Sequence, residues 1–159
     1  MQSRTELETT ELEILPLELP DLPDALALQK IAFMTEAIRY NDYRLSPFEE
    51  HFAAFAQEFQ VKTFLQARLE GAIIGLIRGF VADGTGFIER LSVHPAHRGR
   101  GIGAALTRAL ETALGSARFE LFTAAGSADN IRSYESLGYR CFGAPSKDSH
   151  IPLVRMEKP

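Results

Sequence analysis

The stretch Leu91-Ser92-Val93-His94-Pro95-Ala96-His97-Arg98-Gly99-Arg100-Gly101-Ile102-Gly103-Ala104 decides how the chain is read. Residues 87–93 before its end have strand character. Beyond it, Ile102, Ala105, Leu106, Ala109, Leu110 and Ala113 share one helical face, closed by Gly115. Glycines at 99, 101 and 103 leave the backbone without side-chain cover where that helix begins. Unpaired N–H groups and the positive end of the helix dipole meet there, and such a start holds phosphate. Arg98 and Arg100 add two cations, which suits a diphosphate better than a neutral ligand. The glycine spacing alone serves tight strand-to-helix packing equally well; the arginines favour a ligand.

Two other phosphate motifs fail on context. Residues 99–104 formally satisfy G-x-G-x-x-A, but dinucleotide glycines follow their strand almost at once, at the start of a parallel βαβ unit. Here five residues separate Val93 from Gly99, after an antiparallel meander. A P-loop needs Lys and then Ser or Thr after its last glycine, and Gly103 is followed by Ala104-Ala105.

Working outward, residues 11–19 alternate apolar and acidic side chains like a half-buried strand, ended by Pro20. Asp21 or Asp24 caps a helix expected to carry Leu28, Ile31, Ala32, Thr35 and Ile38 on one face. Ser46-Pro47-Phe48-Glu49 joins a capping-box pair to a proline at the first helical position and predicts a second helix, with Phe48, Phe52, Phe55 and Phe59 as a mainly core-facing stripe. Residues 61–69 and 72–80 form a hairpin about Glu70-Gly71, and Asp83-Gly84-Thr85-Gly86 turns the chain into the next strand. Downstream come a strand at 119–123, a helix at 130–137 stopped by Gly138, and an antiparallel pair of 139–142 with 153–157. The expected class is α/β (α+β), a mixed, mainly antiparallel sheet with helices on both faces in the order β-α-α-β-β-β-α-β-α-β-β.

The chain has 159 residues, enough for one domain burying about 70% of the surface of its unfolded form. We expect a flexible N-terminus at residues 1–10 and a single domain at 11–159. Hydrophobic residues make up 45% and charged residues 24%, so a disordered or fibrous chain is excluded. With 17 Lys and Arg against 21 Asp and Glu, the net charge of −4 offers no general pull toward nucleic acid or anionic lipid. Cys141 is the sole cysteine, which excludes an internal disulfide, fits a reducing compartment and is expected to be a small buried hydrophobe. No export signal or membrane-length apolar run is visible, and no metal site is expected, so the sequence reads as cytoplasmic.

Residues 91–95 followed by Arg98-x-x-Gly101-x-Gly103 resemble the acetyl-CoA signature of the GNAT N-acetyltransferase superfamily, (Gln/Arg)-x-x-G-x-(Gly/Ala). Asn130-Ile131-Arg132-Ser133-Tyr134-Glu135-Ser136-Leu137-Gly138-Tyr139 resembles the same family's N-x-x-x-Y-x-x-x-G-(Phe/Tyr) segment. The resemblance covers about residues 12–157. Tyr40-Asn41-Asp42-Tyr43, Ser46-Pro47 and Phe119-Glu120-Leu121-Phe122-Thr123 are similar to a bacterial branch whose acceptors are mostly unassigned.

The resemblance implies acetyl-CoA as cosubstrate. Its pantetheine arm would pair with the main chain of Leu91, Ser92 and Val93, which a splay between strands leaves open. Its diphosphate would lie on the amides of Gly99, Arg100, Gly101, Ile102, Gly103 and Ala104 beside Arg98. Asn130 would contact the cofactor arm, and Tyr134 would stand near the sulfur as general acid, a role that fits a phenol facing a departing thiolate. On local pattern alone Tyr134 reads as a packed helical aromatic with its hydroxyl merely satisfied, and it is the family motif that favours the acid. Family members often carry a basic glutamate on the signature strand, and the corresponding position here is Phe87. Glu89, two residues on and so on the same strand face as Phe87, Leu91 and Val93, is the alternative base, unless it pairs with a neighbouring arginine. His94 serves as base or turn residue.

In that fold the link between the first two helices borders the acceptor side, so the resemblance implies Tyr40, Asp42 and Tyr43 as acceptor contacts, with an ordinary turn as the competing reading. The reading is transfer to a primary amine of a small molecule or protein by direct attack, because nothing near Cys141 in sequence activates it for a ping-pong route. The alternative is a non-catalytic acyl-CoA-binding sensor. A homodimer is the family habit.

Overall fold

The computed structural model describes residues 11–148 and 150–159. The expected flexible segment, residues 1–10, lies outside the described residues. The chain runs β1 (Glu13–Pro16), a 3-10 turn at Leu19–Asp21, α1 (Leu22–Tyr40), α2 (Ser46–Glu49), α3 (Phe52–Val61), β2 (Thr63–Leu69), β3 (Ala72–Ala82) and β4 (Thr85–Val93). A 3-10 turn at Pro95–His97 leads to α4 (Ile102–Leu114), β5 (Arg118–Ala124), α5 (Ala128–Ser136), β6 (Arg140–Cys141), β7 (Ser146–Asp148) and β8 (Ile151–Lys158). The strands form one sheet in the order β1-β2-β3-β4-β5-β8-β6, with β7 also on β8. Every pairing is antiparallel except β4 with β5, whose connection passes through α4.

The two hairpin turns follow from residue type. Glu70-Gly71 and Asp83-Gly84 hold φ of +52°/+79° and +50°/+79°, the primed geometry that matches strand twist. One core cluster packs α4 and α5 on a sheet face through Leu106, Leu110, Ile77, Ile88 and Tyr134. A second packs α1 and α3 on the other through Leu22, Leu28, Phe55, Phe64 and Leu76. Helices on both faces agree with the expected class.

Several local expectations are corrected. The helix begun at Ser46 lasts one turn, because Glu50 leaves helical geometry (φ −54°, ψ 125°) and a separate helix starts at Phe52. No capping box forms there: the Ser46 amide and hydroxyl donate instead to the Asp148 carboxylate on β7, at 2.9 and 2.8 Å to Oδ2. The aromatic stripe therefore divides, with Phe55 fully buried, Phe52 49% exposed and Phe48 edge-on to Tyr43. On α1 the buried residues include Ala25, Leu28, Gln29 and Ala32, while Ile31 and Ile38 face out, so that face is rotated from the expected one. Cys141 is exposed rather than buried, because the two-residue β6 lies at the sheet edge with both residues open.

Candidate active site

Strand β4 leaves β5 partway along. They pair from Thr85↔Arg118 to Ile88↔Leu121, after which β4 stays with β3 as far as Val93↔Gly75 and β5 stays with β8 as far as Ala124↔Leu153. A wedge opens between residues 89–93 and 122–124. A bulge sits at its apex: the β3 register shifts between Leu76 and Arg78, and Arg90 takes φ +57°. A bulge bends its strand and re-aims the side chains beyond it. Here it reverses side-chain parity. Phe87 stacks on Phe80 (5.1 Å) and Glu89 pairs with Arg78 on the α1/α3 face, whereas Leu91 and Val93 pack with the α4 cluster.

The expectation that Glu89 shares a face with Leu91 and Val93 is therefore wrong, and holds only for Phe87. The Glu89 Oε1 accepts from Lys62 Nζ and from Arg78 Nε at 3.3 Å, the neighbouring-arginine pairing set beside the basic role.

Two cavities occupy the wedge. The first, about 520 Å³, is walled by the start of α4: Gly99, Gly101, Ile102, Gly103 and Ala104 line it, with Val93 and Arg98. Gly101 takes φ +80° as the residue before the helix, and Gly99 takes φ +77°. A Cβ at either would meet nothing within 4 Å, so the open backbone faces space. The first amide bonded within α4 is that of Ala105, donating to Gly101 O at 3.0 Å; those of 102–104 lie before any intrahelical acceptor and stay available. Such a rim, with the helix dipole behind it, fits a diphosphate.

The arginines are used differently from expectation. Arg98 donates through Nη2 to Ala32 O (2.7 Å), through Nη1 to Thr35 Oγ1 (2.9 Å) and through Nε to Val93 O (3.3 Å), so it pins the loop to α1 while its charge stays in the wall. Burial lowers its pKa, opposed by the Glu36 charge. Arg100 lies 3.4 Å from His97 Nδ1 and is not in the wall; Arg39, which the sequence reading missed, is. Ser92 is buried at 1% exposure, its hydroxyl donating to Arg90 O. His94 takes the turn role, Nδ1 accepting from the Ala96 amide at 3.1 Å.

The second cavity, about 400 Å³, lies on the far side of the wedge. Phe33, Phe80, Phe87 and Phe122 give it an aromatic lining, with Glu89, Arg90, Glu120 and Asp148 among its charged groups. Tyr40, Asp42 and Tyr43 do not line it. Asp42 is turned inward to accept from the Arg44 and His150 amides (3.0 and 3.1 Å), so that link organises a turn, and Leu45, Ser46 and Pro47 form the wall in its place.

Five residues line both cavities: Phe33, Glu36, Leu91, Asn130 and Tyr134. Asn130 and Tyr134, one helical turn apart on α5, both stand in this shared wall. Tyr134 is 9% exposed, its ring edge-on to Tyr139 at 5.8 Å, and burial pushes its phenol up to about 12. It is protonated throughout the neutral range.

Beneath the second cavity lies an ion network that no local pattern announced. Glu50 takes a bidentate pair from Arg78 (3.0 and 3.1 Å) and a bond from Arg90 (3.0 Å), while the wholly buried Gln29 donates to it at 2.8 Å. Burial raises the Glu50 pKa, but the bonds from Arg78 and Gln29 with the charges of Arg78 and Arg90 outweigh it, and the carboxyl is held below its ordinary range. This network fixes the bulge residue Arg90 and the break between α2 and α3. Among the described residues no three His, Cys, Asp or Glu side chains are placed to hold a metal ion, and no helix is long and apolar enough to cross a membrane.

A family model described as the acetyltransferase (GNAT) family matches residues 27–139. The fold resembles the Escherichia coli ribosomal-protein-S18-alanine N-acetyltransferase (TM-score 0.73, 23% identity, 94% of each chain). It also resembles the PaiA N-acetyltransferase of Thermoplasma acidophilum solved with coenzyme A (0.74, 18% identity, 93% of this chain and 98% of that one). A third likeness is a GCN5-related N-acetyltransferase from Rhodopseudomonas palustris (0.75, 19% identity, 92% and 94%). At these identities the likeness is one of fold. Among curated proteins, none matches the chain.

Proposed function

Since the chain belongs to the acetyltransferase (GNAT) family, we propose that it moves an acetyl group from acetyl-CoA directly onto a primary amine of a small molecule or protein. The observation that carries this reading is the pair of cavities sharing the Tyr134 wall, one ending on the bare amides of α4 and the other lined by aromatic rings. The coenzyme A in the Thermoplasma relative supports the same cosubstrate here.

The amides of Ile102, Gly103 and Ala104 would hold the diphosphate, with Arg98 and Arg39 supplying charge from the wall. The β4 main chain at Leu91, Ser92 and Val93, freed from β5 by the splay, would pair with the amide arm, and Asn130 would steady that arm from α5. The bound thioester supplies an acyl carbonyl open to nucleophilic attack. Tyr134 donates its O–H toward the sulfur as that atom gains charge. A phenol pushed up by burial to about 12 is a weaker acid than a thiol of about 8.5, so full proton transfer to the departing thiolate is uphill. Tyr134 therefore stabilises the departing sulfur by a hydrogen bond, and a proton released by the attacking amine completes the thiol. Cys141, exposed at the sheet edge and absent from both cavity walls, takes no part, which supports direct transfer over a covalent relay.

The experiment is a mass-spectrometric screen of amine metabolites and peptides with acetyl-CoA, run on the wild type and on Tyr134→Phe. Acetylated product with release of free thiol, reduced in the variant, is the expected result. Binding of acetyl-CoA with no thiol release across the whole panel would instead establish the sensor reading.

A further inference from the structure

The reacting carbonyl has to lie where the two cavities join, which limits the groups able to touch it to Phe33, Glu36, Leu91, Asn130 and Tyr134. Glu36 is the only carboxylate among them. Its side chain, on the inner side of α1, is 17% exposed; the Arg39 guanidinium approaches Oε1 at 3.6 Å, and Oε2 is buried with no hydrogen-bond partner among the described residues. An anionic oxygen in that state is costly unless a donor arrives.

The other charges of the aromatic cavity are already engaged. Glu89 is held by Lys62 and Arg78, Arg90 by Glu50, Glu120 by Arg118 and Arg155, and Asp148 accepts from Ser46. Glu36, with no donor on Oε2 and only the 3.6 Å approach of Arg39 to Oε1, is thus the most loosely held of these carboxylates, at the mouth of a chamber walled by phenylalanines.

We propose that Glu36 receives the acceptor's ammonium group and takes its proton, and that the acceptor is a monoamine carrying an apolar, aromatic-sized body. The inference rests on the acetyltransfer reading above. An alkylamine is protonated at neutral pH and has no lone pair to use. The Glu36 carboxylate accepts one proton from the ammonium, whose desolvation beside the rings favours its loss. The freed nitrogen pair forms the C–N bond, and the C–S bond breaks with its electrons going to sulfur. The second nitrogen proton passes to that sulfur, steadied by Tyr134, and the proton on Glu36 returns to solvent. Amide, thiol and one proton balance the step. A single loosely held carboxylate disfavours polyamines, and the ring-lined wall disfavours polar peptides.

Besides the groups of the aromatic cavity named above, the charged or titratable side chains lining the diphosphate cavity with Glu36 are Arg39 on the same helix, His97 and Arg98 from the loop before α4, and Asp129 and Tyr134 on α5, and all are kept in the test. Wild type, Glu36→Gln and Glu36→Asp are compared, with coenzyme A affinity and 2-phenylethylamine affinity for the coenzyme A complex read by calorimetry. Acetylation of 2-phenylethylamine is followed from about pH 7 to pH 10, alongside spermidine and a short lysine peptide.

In Glu36→Gln we expect coenzyme A affinity within about threefold of wild type, amine affinity at least about tenfold weaker, and kcat/KM at pH 7 at least about 100-fold lower. That defect should shrink about tenfold by pH 10 as the amine loses its own proton, and Glu36→Asp should recover part of the activity. A defect constant with pH, amine affinity unchanged in Glu36→Gln, or a higher kcat/KM for spermidine or the peptide would overturn the proposal. A wild type that binds no acetyl-CoA would overturn the underlying reading as well, whereas wild-type binding and turnover with an unaffected Glu36→Gln would overturn this inference alone.

Discussion

Gly101 and Gly84 form a matched pair for locating the phosphate cradle. They hold φ of +80° and +79°, and at neither would a Cβ meet anything within 4 Å. Gly84 sits in the β3–β4 turn, whereas Gly101 precedes α4 and lines the larger cavity. An L residue held in left-handed geometry costs about 1–2 kcal/mol, so Gly84→Ala and Gly101→Ala should lose similar stability. Only Gly101→Ala puts a methyl beside the amides of 102–104. A diphosphate pushed off even one of them forfeits a charge-assisted bond of about 1.5–3 kcal/mol, or at least about tenfold in affinity. Urea denaturation gives the common stability loss, and calorimetry with coenzyme A gives the difference. Equal coenzyme A affinities in the two variants would refute the placement of the cradle at the start of α4.

Tyr134→Phe should lower kcat by one to three decades while coenzyme A affinity changes little, because only the hydroxyl's bond to sulfur is lost; equal kcat in the two proteins would remove Tyr134 from the chemistry. Glu50→Gln leaves Arg78, 2% exposed, with Glu89 as its one carboxylate partner among the described residues, and should cost about 3 kcal/mol in urea unfolding at pH 7. The Glu50 pKa is depressed in the folded state, so its contribution is fully present above the ordinary carboxylate range and is lost as pH falls through the lowered value. The stability gap between wild type and Glu50→Gln should therefore narrow in acid, and a gap that widened there would contradict the network. Glu89→Gln should change turnover less than about threefold, because Lys62 and Arg78 hold its carboxylate and it lies outside the junction of the two cavities; a hundredfold loss in steady-state assays would restore it as the base.

Much of the frame was legible because it is written locally. Paired positive-φ residues marked both hairpin turns, and glycines flanking α4 marked its start and stop. Asn130 and Tyr134, one helical turn apart, share a helix face as their spacing required, and that face lines both cavities.

What was missed is long-range. Asp148 satisfies the Ser46 amide from 102 residues away and displaces the local cap. The carboxylate of Glu50 turns in to Arg78 and ends a helix that Phe48, Phe52, Phe55 and Phe59 alone would have continued. Glu89 was misplaced because period-two counting assumes an unbroken ladder, and the bulge at Arg90 adds one residue to one side. Glu36 carried no motif. Its place at the junction of the cavities comes from how α1 crosses the wedge, although an acidic residue one turn before Arg39 on a helix bordering the acceptor side was a signal available in the sequence.

The most direct measurement is a crystal structure of the chain with acetyl-CoA. The account predicts diphosphate oxygens about 3 Å from the amides of Ile102, Gly103 and Ala104, with the acetyl carbonyl beside the Tyr134 hydroxyl. A cofactor seated away from the wedge between β4 and β5, or with its acetyl group turned from Tyr134, would contradict it.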